Sequence, residues 1–194
     1  TLGYNFRFLE ELEDLKANDI LLVYGYTEPT PEELKSLAKH YITFFIPCDP
    51  DFFDAKAYSA DRLRRCMREI KLLNITPVIS NRKFEYPAEN YTESDISGGK
   101  INFDLVGNLF LHLSNLEESS DAGSMEKGFY PDSASAFYNY RETPIVDNLL
   151  WLMDSLIKEH CRAKNNCIVQ KLYWPLAQQA AVLLSHSIDD LQKW

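Results

Sequence analysis

Two short runs of unbroken apolar residues constrain this chain more than any other feature. Asp19 opens Ile20-Leu21-Leu22-Val23-Tyr24, which Gly25 ends, and Tyr41-Ile42-Thr43-Phe44-Phe45-Ile46 is stopped by Pro47. Runs of this length, apolar on both alternating faces, fit strands of a parallel sheet with cover on both sides. Between them lies a segment with a helix start. Thr30 can cap, Pro31 suits the first helical position, and Glu33 completes a capping box, with Leu34, Leu37 and Ala38 inward to about His40. A strand–helix–strand unit joins parallel neighbours.

The pattern continues downstream. Ser59 is expected to cap a helix whose stripe is Leu63, Met67, Ile70 and Leu73, ending at Asn74, and Thr76 to Ser80 reads as a third strand. Right-handed crossovers then predict an α/β fold, a layered sandwich with a mainly parallel sheet flanked by helices. Asn81 to Lys100 is a polar excursion broken by Pro87, Gly98 and Gly99. Ile101-Asn102-Phe103 is a short strand, and Asp104 an N-cap for a buried helix from Leu105 to about Leu116. Ser119 to Ser135 reads as a flexible segment. Thr143-Pro144 starts a helix of about two to four turns with Ile145, Leu149, Leu152 and Leu156 inward. Near the ends of the chain, Phe8, Leu9, Leu12 and Leu15 make a helical stripe, and Ala181 to Leu184 reads as a strand after Trp174-Pro175.

The 194 residues suit one large domain, or a domain with an appendage. A chain of this size hides roughly 70% of the surface it exposes when unfolded. The net charge of −9 argues against nucleic acid or an anionic membrane as partner, since both need clustered Lys and Arg. No apolar run approaches the roughly 20 residues that span a bilayer, and the opening Phe6-Arg7-Phe8-Leu9-Glu10-Glu11 is not a secretory signal, so a cytoplasmic location is expected. Of the four cysteines, Cys48 and Cys66 read as small core residues, and Cys161 and Cys167 lack the spacing of a zinc-ligating pair.

Few residues offer chemistry. The seven glycines are scattered and build neither a dinucleotide fingerprint nor a phosphate loop, and there is no G-x-S-x-G elbow. His40, His112, His160 and His186 share no i, i+4 pair. His112, on an apolar helix, reads as a hydrogen-bonded core residue. Glu117-Glu118 reads as a solvated helix end, since adjacent carboxylates point apart on a helix. Arg62, Arg64, Arg65 and Arg68 read as a solvated face, with an anion patch as the alternative. The most informative string is Ser185-His186-Ser187-Ile188-Asp189-Asp190. It places imidazole and carboxylate after an apolar strand, where α/β folds keep their sites and where a divalent metal finds ligands.

Leu183-Leu184-Ser185-His186-Ser187-Ile188-Asp189-Asp190 resembles the first motif of the polysaccharide deacetylase family, and Tyr173-Trp174-Pro175 resembles the approach to its catalytic barrel. Phe103 through Glu118 and Arg141-Glu142-Thr143-Pro144-Ile145-Val146-Asp147 are similar to stretches of the accessory domain that precedes that barrel in some bacterial members. The resemblance implies an accessory domain over residues 1–172, then a linker and first barrel strand over 173–194. It implies a metal-ligand role for Asp189, with His186 nearby, and puts Ser187 at the general-base position. A hydroxyl is a poor base there, so no complete catalytic set is expected in this chain. A divalent metal such as zinc would belong to the parent protein, and the implied partners are its barrel and a carbohydrate. Two further readings stand beside this one. One is a protein-interaction module. The other is a stand-alone α/β enzyme with its site at the strand ends near Gly25, Cys48 and Ser80.

Overall fold

A computed structural model describes residues 16, 19–25, 30–53, 58–72, 74–80, 92–94, 98–120, 130–166 and 168. All of these but Ile168 belong to one compact unit, Leu9–Cys167. In chain order its strands and α-helices are β1 (Ile20–Gly25), α1 (Pro31–Ala38), β2 (Ile42–Pro47), α2 (Ala60–Cys66), β3 (Met67–Leu72), β4 (Asn74–Ile79), β5 (Thr92–Ser94), β6 (Gly98–Ile101), α3 (Leu105–Ser114), α4 (Leu116–Ser120) and α5 (Ile145–Ala163).

The fold mixes helix and strand around a mainly parallel sheet. Four strands lie in the order β1-β2-β6-β5. β1 runs parallel to β2 from Ile20↔Ile42 to Gly25↔Pro47, β2 runs parallel to β6 from Thr43↔Gly98 to Phe45↔Lys100, and β5 is antiparallel to β6. The capping box of α1 is formed as the spacing predicts. Glu33 N–H donates to Thr30 Oγ1 at 3.3 Å, and Thr30 N–H donates to Glu33 Oε2 at 2.8 Å. Every residue of β2 is buried. Its Ile42, Phe44, Phe45 and Ile46 contribute on the order of 8 kcal/mol of apolar burial before chain entropy is counted.

The segment after Ser59 departs from the predicted helix. Ser59 sits at the N-cap of α2, but its side chain makes no capping bond, and the helix stops at Cys66. Met67 to Leu72 is instead strand β3, antiparallel to β4 from Met67↔Ile79 to Leu72↔Asn74. Met67 and Ile70 stand three apart, a spacing that alone points to a helix. The pairing with β4 overrides it, because β4 is buried from Thr76 to Ile79 and its backbone groups need a ladder partner. The predicted third strand is therefore real but belongs to a separate two-stranded sheet.

α3 spans Leu105–Ser114 and closes at Asn115, which holds the left-handed conformation at φ 53°, before α4 begins. α5 has 19 residues, longer than expected, and buries Ile145, Leu149, Leu152 and Leu156 as predicted, together with His160 and Cys161. The ring of His160 packs edge-on against Phe44 at 4.8 Å. Phe52, Tyr58, Leu63, Ile79, Leu111 and Ala136 form another apolar cluster, joined by Phe137.

Two titratable residues, Glu117 and His112, are placed differently from their sequence reading. Glu117 is buried, not solvated; its carboxylate accepts from Ser135 Oγ at 2.9 Å and from Ala136 N–H. Arg64 donates to the carbonyls of Ala134 at 2.7 Å and Ser135 at 3.2 Å, so both residues hold the same turn. The buried Ala136 N–H needs such a partner, which explains why the Glu117 charge is drawn inward, whereas Arg64 stays on the solvated face, as read, with its side chain 45% exposed. His112 packs against Phe137 at 4.5 Å, but its Nε2 has no hydrogen-bond partner. No helix among the described residues is long and apolar enough to cross a membrane.

Candidate functional site

The parallel strands β1, β2 and β6 end on the same edge of the sheet, where α/β folds place ligands. Beyond the ladder, Cys48 N–H donates to Gly25 O at 2.8 Å, extending the β1–β2 pairing by one residue. Gly25 and Cys48 are thus adjacent, as the strand-end reading requires. Ser80 closes β4 in the other sheet, where its N–H donates to Cys66 O at 3.0 Å.

Asp104 joins these ends. It follows β6 by three residues and caps α3, with Oδ1 accepting from Gly107 N–H at 2.6 Å. Its Oδ2 accepts from Asp49 N–H at 2.8 Å, just past β2, and from the Tyr24 hydroxyl at 3.0 Å, at the end of β1. One carboxylate therefore ties three strand ends to a helix start. Gly107 is required by the closeness of this packing, since a Cβ there would lie 2.7 Å from Asp104 Oδ2 and 2.7 Å from Phe52. Asn108 extends the network to the second sheet. Its Nδ2 donates to Asp104 O at 2.7 Å and to Ile79 O at 3.0 Å, while Oδ1 accepts from Ile79 N–H at 2.7 Å. The side-chain amide thus pairs with both backbone groups of Ile79, as a neighbouring strand would.

The electrostatics follow from burial. Desolvation pushes the Asp104 carboxyl above the usual range, against the lowering effect of the Asp49 and Gly107 amides and the Tyr24 hydroxyl. Burial, the Cys48 thiol and the Asp104 charge raise Tyr24. Tyr58, whose hydroxyl donates to Phe52 O, is raised by burial and by Asp104. The Tyr24 side chain is 39% exposed, so the edge is reachable from solvent while Asp104 behind it is not.

Among the residues singled out in the sequence, Asp104 is confirmed as the cap of α3. Its longer-range partners were not legible, because Tyr24 and Asp49 stand 80 and 55 positions upstream. Asn108 was missed altogether; the only local signal is a polar side chain on an otherwise apolar helix, four residues after a cap. His186, Ser187 and Asp189 lie outside the described residues, as do Tyr173-Trp174-Pro175, the Ala181 to Leu184 strand and the Phe8 to Leu15 stripe. Among the described residues, no three His, Cys, Asp or Glu side chains gather as metal ligands. Comparison of the chain with protein-family models, with curated proteins and with solved structures finds no match.

Proposed function

We propose that this chain is a non-catalytic α/β module, the accessory part of a polysaccharide deacetylase-like protein, built as a layered sandwich that packs against a catalytic barrel in the cytoplasm. The observation that supports the non-catalytic half is the use made of Asp104. A general base or a metal ligand needs a lone pair open to water or ion. Both Asp104 oxygens are instead engaged by donors from β1, from the residue past β2 and from α3. At the edge where an α/β enzyme would do chemistry, this carboxylate holds the fold together.

The deacetylase half rests on the sequence motifs. On that reading Asp189 supplies one ligand for a divalent metal such as zinc, with His186 nearby, and Ser187 stands where a carboxylate base belongs. Such a metal would supply Lewis-acid chemistry toward an acetyl group and its attacking water, with the remaining ligands and the base coming from elsewhere. The accessory module shapes access of the carbohydrate. The test is acetate release from an acetylated oligosaccharide by the purified chain with zinc supplied. No turnover is expected. Turnover that Asp104→Asn abolishes while the protein stays folded would overturn the assignment.

A second reading, a protein-interaction module, is favoured by the outer face of α3. Val106, Phe110 and Leu113 are 39%, 50% and 70% exposed. Their spacing puts them on one side of the helix. Apolar side chains grouped in this way fit a surface covered by a partner.

A further inference from the structure

The two edges of the small β3–β4 sheet differ. Ser80 N–H donates to Cys66 O at 3.0 Å, and the β3–β4 register sets these residues opposite one another, so they form a hydrogen-bonded pair. Such pairs alternate along an antiparallel ladder. Arg68 with Val78 and Ile70 with Thr76 therefore bond across it, while Met67, Glu69 and Lys71 on β3, and Ile75, Pro77 and Ile79 on β4, turn their main-chain groups outward. On β4 that edge is closed. Asn108 takes both main-chain groups of Ile79, and Pro77 has no N–H to offer a further strand.

On β3 it is open. Among the described residues, β4 is the one strand paired with β3, and none bonds the outward main-chain groups of Glu69 or Lys71. The Arg68 guanidinium donates to Met67 O at 2.8 Å and so ends the open stretch there. Glu69 and Lys71 are exposed on either side of the buried Ile70. Charges on an edge strand keep apolar strands away. In this order they also match a copy of themselves. Antiparallel pairing about Ile70 sets Glu69 opposite Lys71 of the second copy, and Lys71 opposite its Glu69. The phase agrees, because these are the residues with outward N–H and C=O groups, and the two copies would exchange about four ladder hydrogen bonds. A register shifted by two residues sets Glu69 against Glu69, or Lys71 against Lys71, and is disfavoured by like charge. The Glu69 carboxylate accepts from the Tyr140 hydroxyl and has lone pairs left for an ammonium.

We infer that β3 is a self-association edge, where a second copy of this chain adds its own β3 across a two-fold axis to make a four-stranded antiparallel sheet. The contact is short, so the dimer is weak, with a dissociation constant on the order of 10 µM to 1 mM. The experiment is sedimentation equilibrium of the full chain up to about 1 mM, at low salt and in 0.5 M sodium chloride, where screening weakens the charge pairs. It is repeated on Lys71→Glu, on the exchange of Glu69→Lys with Lys71→Glu, and on Lys71→Pro. Circular dichroism confirms that each variant is folded. Lys71→Glu should weaken the dimer at least about tenfold, because two symmetric pairs turn from attraction to repulsion. The exchange restores opposite charges and should bring association back to within about threefold of the wild type. Lys71→Pro removes an outward N–H while sparing the bonds to β4, and should abolish the dimer. A chain that stays monomeric up to about 1 mM would overturn the inference. So would a dimer that Lys71→Pro leaves intact, or an exchange variant no stronger than Lys71→Glu. The accessory-module reading is decided by the separate acetate-release assay, so the two can fail independently.

Discussion

Replacing Asp104 with Ala tests whether one carboxylate holds the strand-end edge together. The capping bond to Gly107 N–H is worth about 1 kcal/mol. The substitution also takes the partner from the half-buried Asp49 N–H; a fully buried donor left unpaired costs about 1–3 kcal/mol, and this one should cost toward the lower end. The Tyr24 hydroxyl loses less, because its side chain is 39% exposed and water can replace the carboxylate. Burial of the charge offsets part of the total, since desolvation already raises this carboxyl. The net expectation is a loss of about 3 kcal/mol, against about 1 kcal/mol for a simple cap. Urea denaturation at pH 7 measures it, and in a unit of this size the melting temperature should fall by about 6–12 °C. Asp104→Asn adds a sign test. A carboxyl raised in the folded state contributes stability below its unfolded pKa, and that contribution is lost as pH rises through the folded value. The stability of the wild type relative to Asp104→Asn should therefore decline as pH rises from the acid range toward neutrality. A melting shift under 2 °C for Asp104→Ala would refute the three-way tie.

Three further outcomes follow from the same structure. Burial holds His112 down to about 4, against an ordinary 6.5, so its contribution is present above pH 6.5 and is lost as pH falls through 4. Wild-type stability should drop by about 2 kcal/mol more than that of His112→Leu between pH 7 and 5, as measured by denaturant titration at each pH. Gly107→Ala should lower stability by about 1–3 kcal/mol despite the better helix propensity of Ala, because its Cβ would lie 2.7 Å from both Asp104 and Phe52; an unchanged or higher melting temperature would contradict this. Glu117→Ala should cost about 1–3 kcal/mol and speed proteolytic cleavage within residues 131–141, because the Ala136 N–H and the Ser135 hydroxyl lose their acceptor; equal cleavage rates would argue against the latch.

What the sequence by itself determined about this protein is local. The Thr30–Glu33 capping box, the Asp104 cap, the strands β1 and β2 and the inward stripe of α5 all follow from residues within a turn or two of one another. Their backbone preferences and apolar periods act at short range, so they can be read without knowing what packs where. Tertiary structure decided the rest. Met67 to Leu72 became a strand because β4 offered a backbone ladder, which the helix-like spacing of Met67 and Ile70 could not foretell. Glu117 went inward because a distant turn needed an acceptor. Asp104 became a junction because folding brought Tyr24 and Asp49 within reach of its second oxygen. Asn108 became a substitute strand partner because Ile79 arrived beside it. In each case the deciding quantity is the cost of leaving a buried polar group unpaired, and that cost exists only once the chain has folded around it.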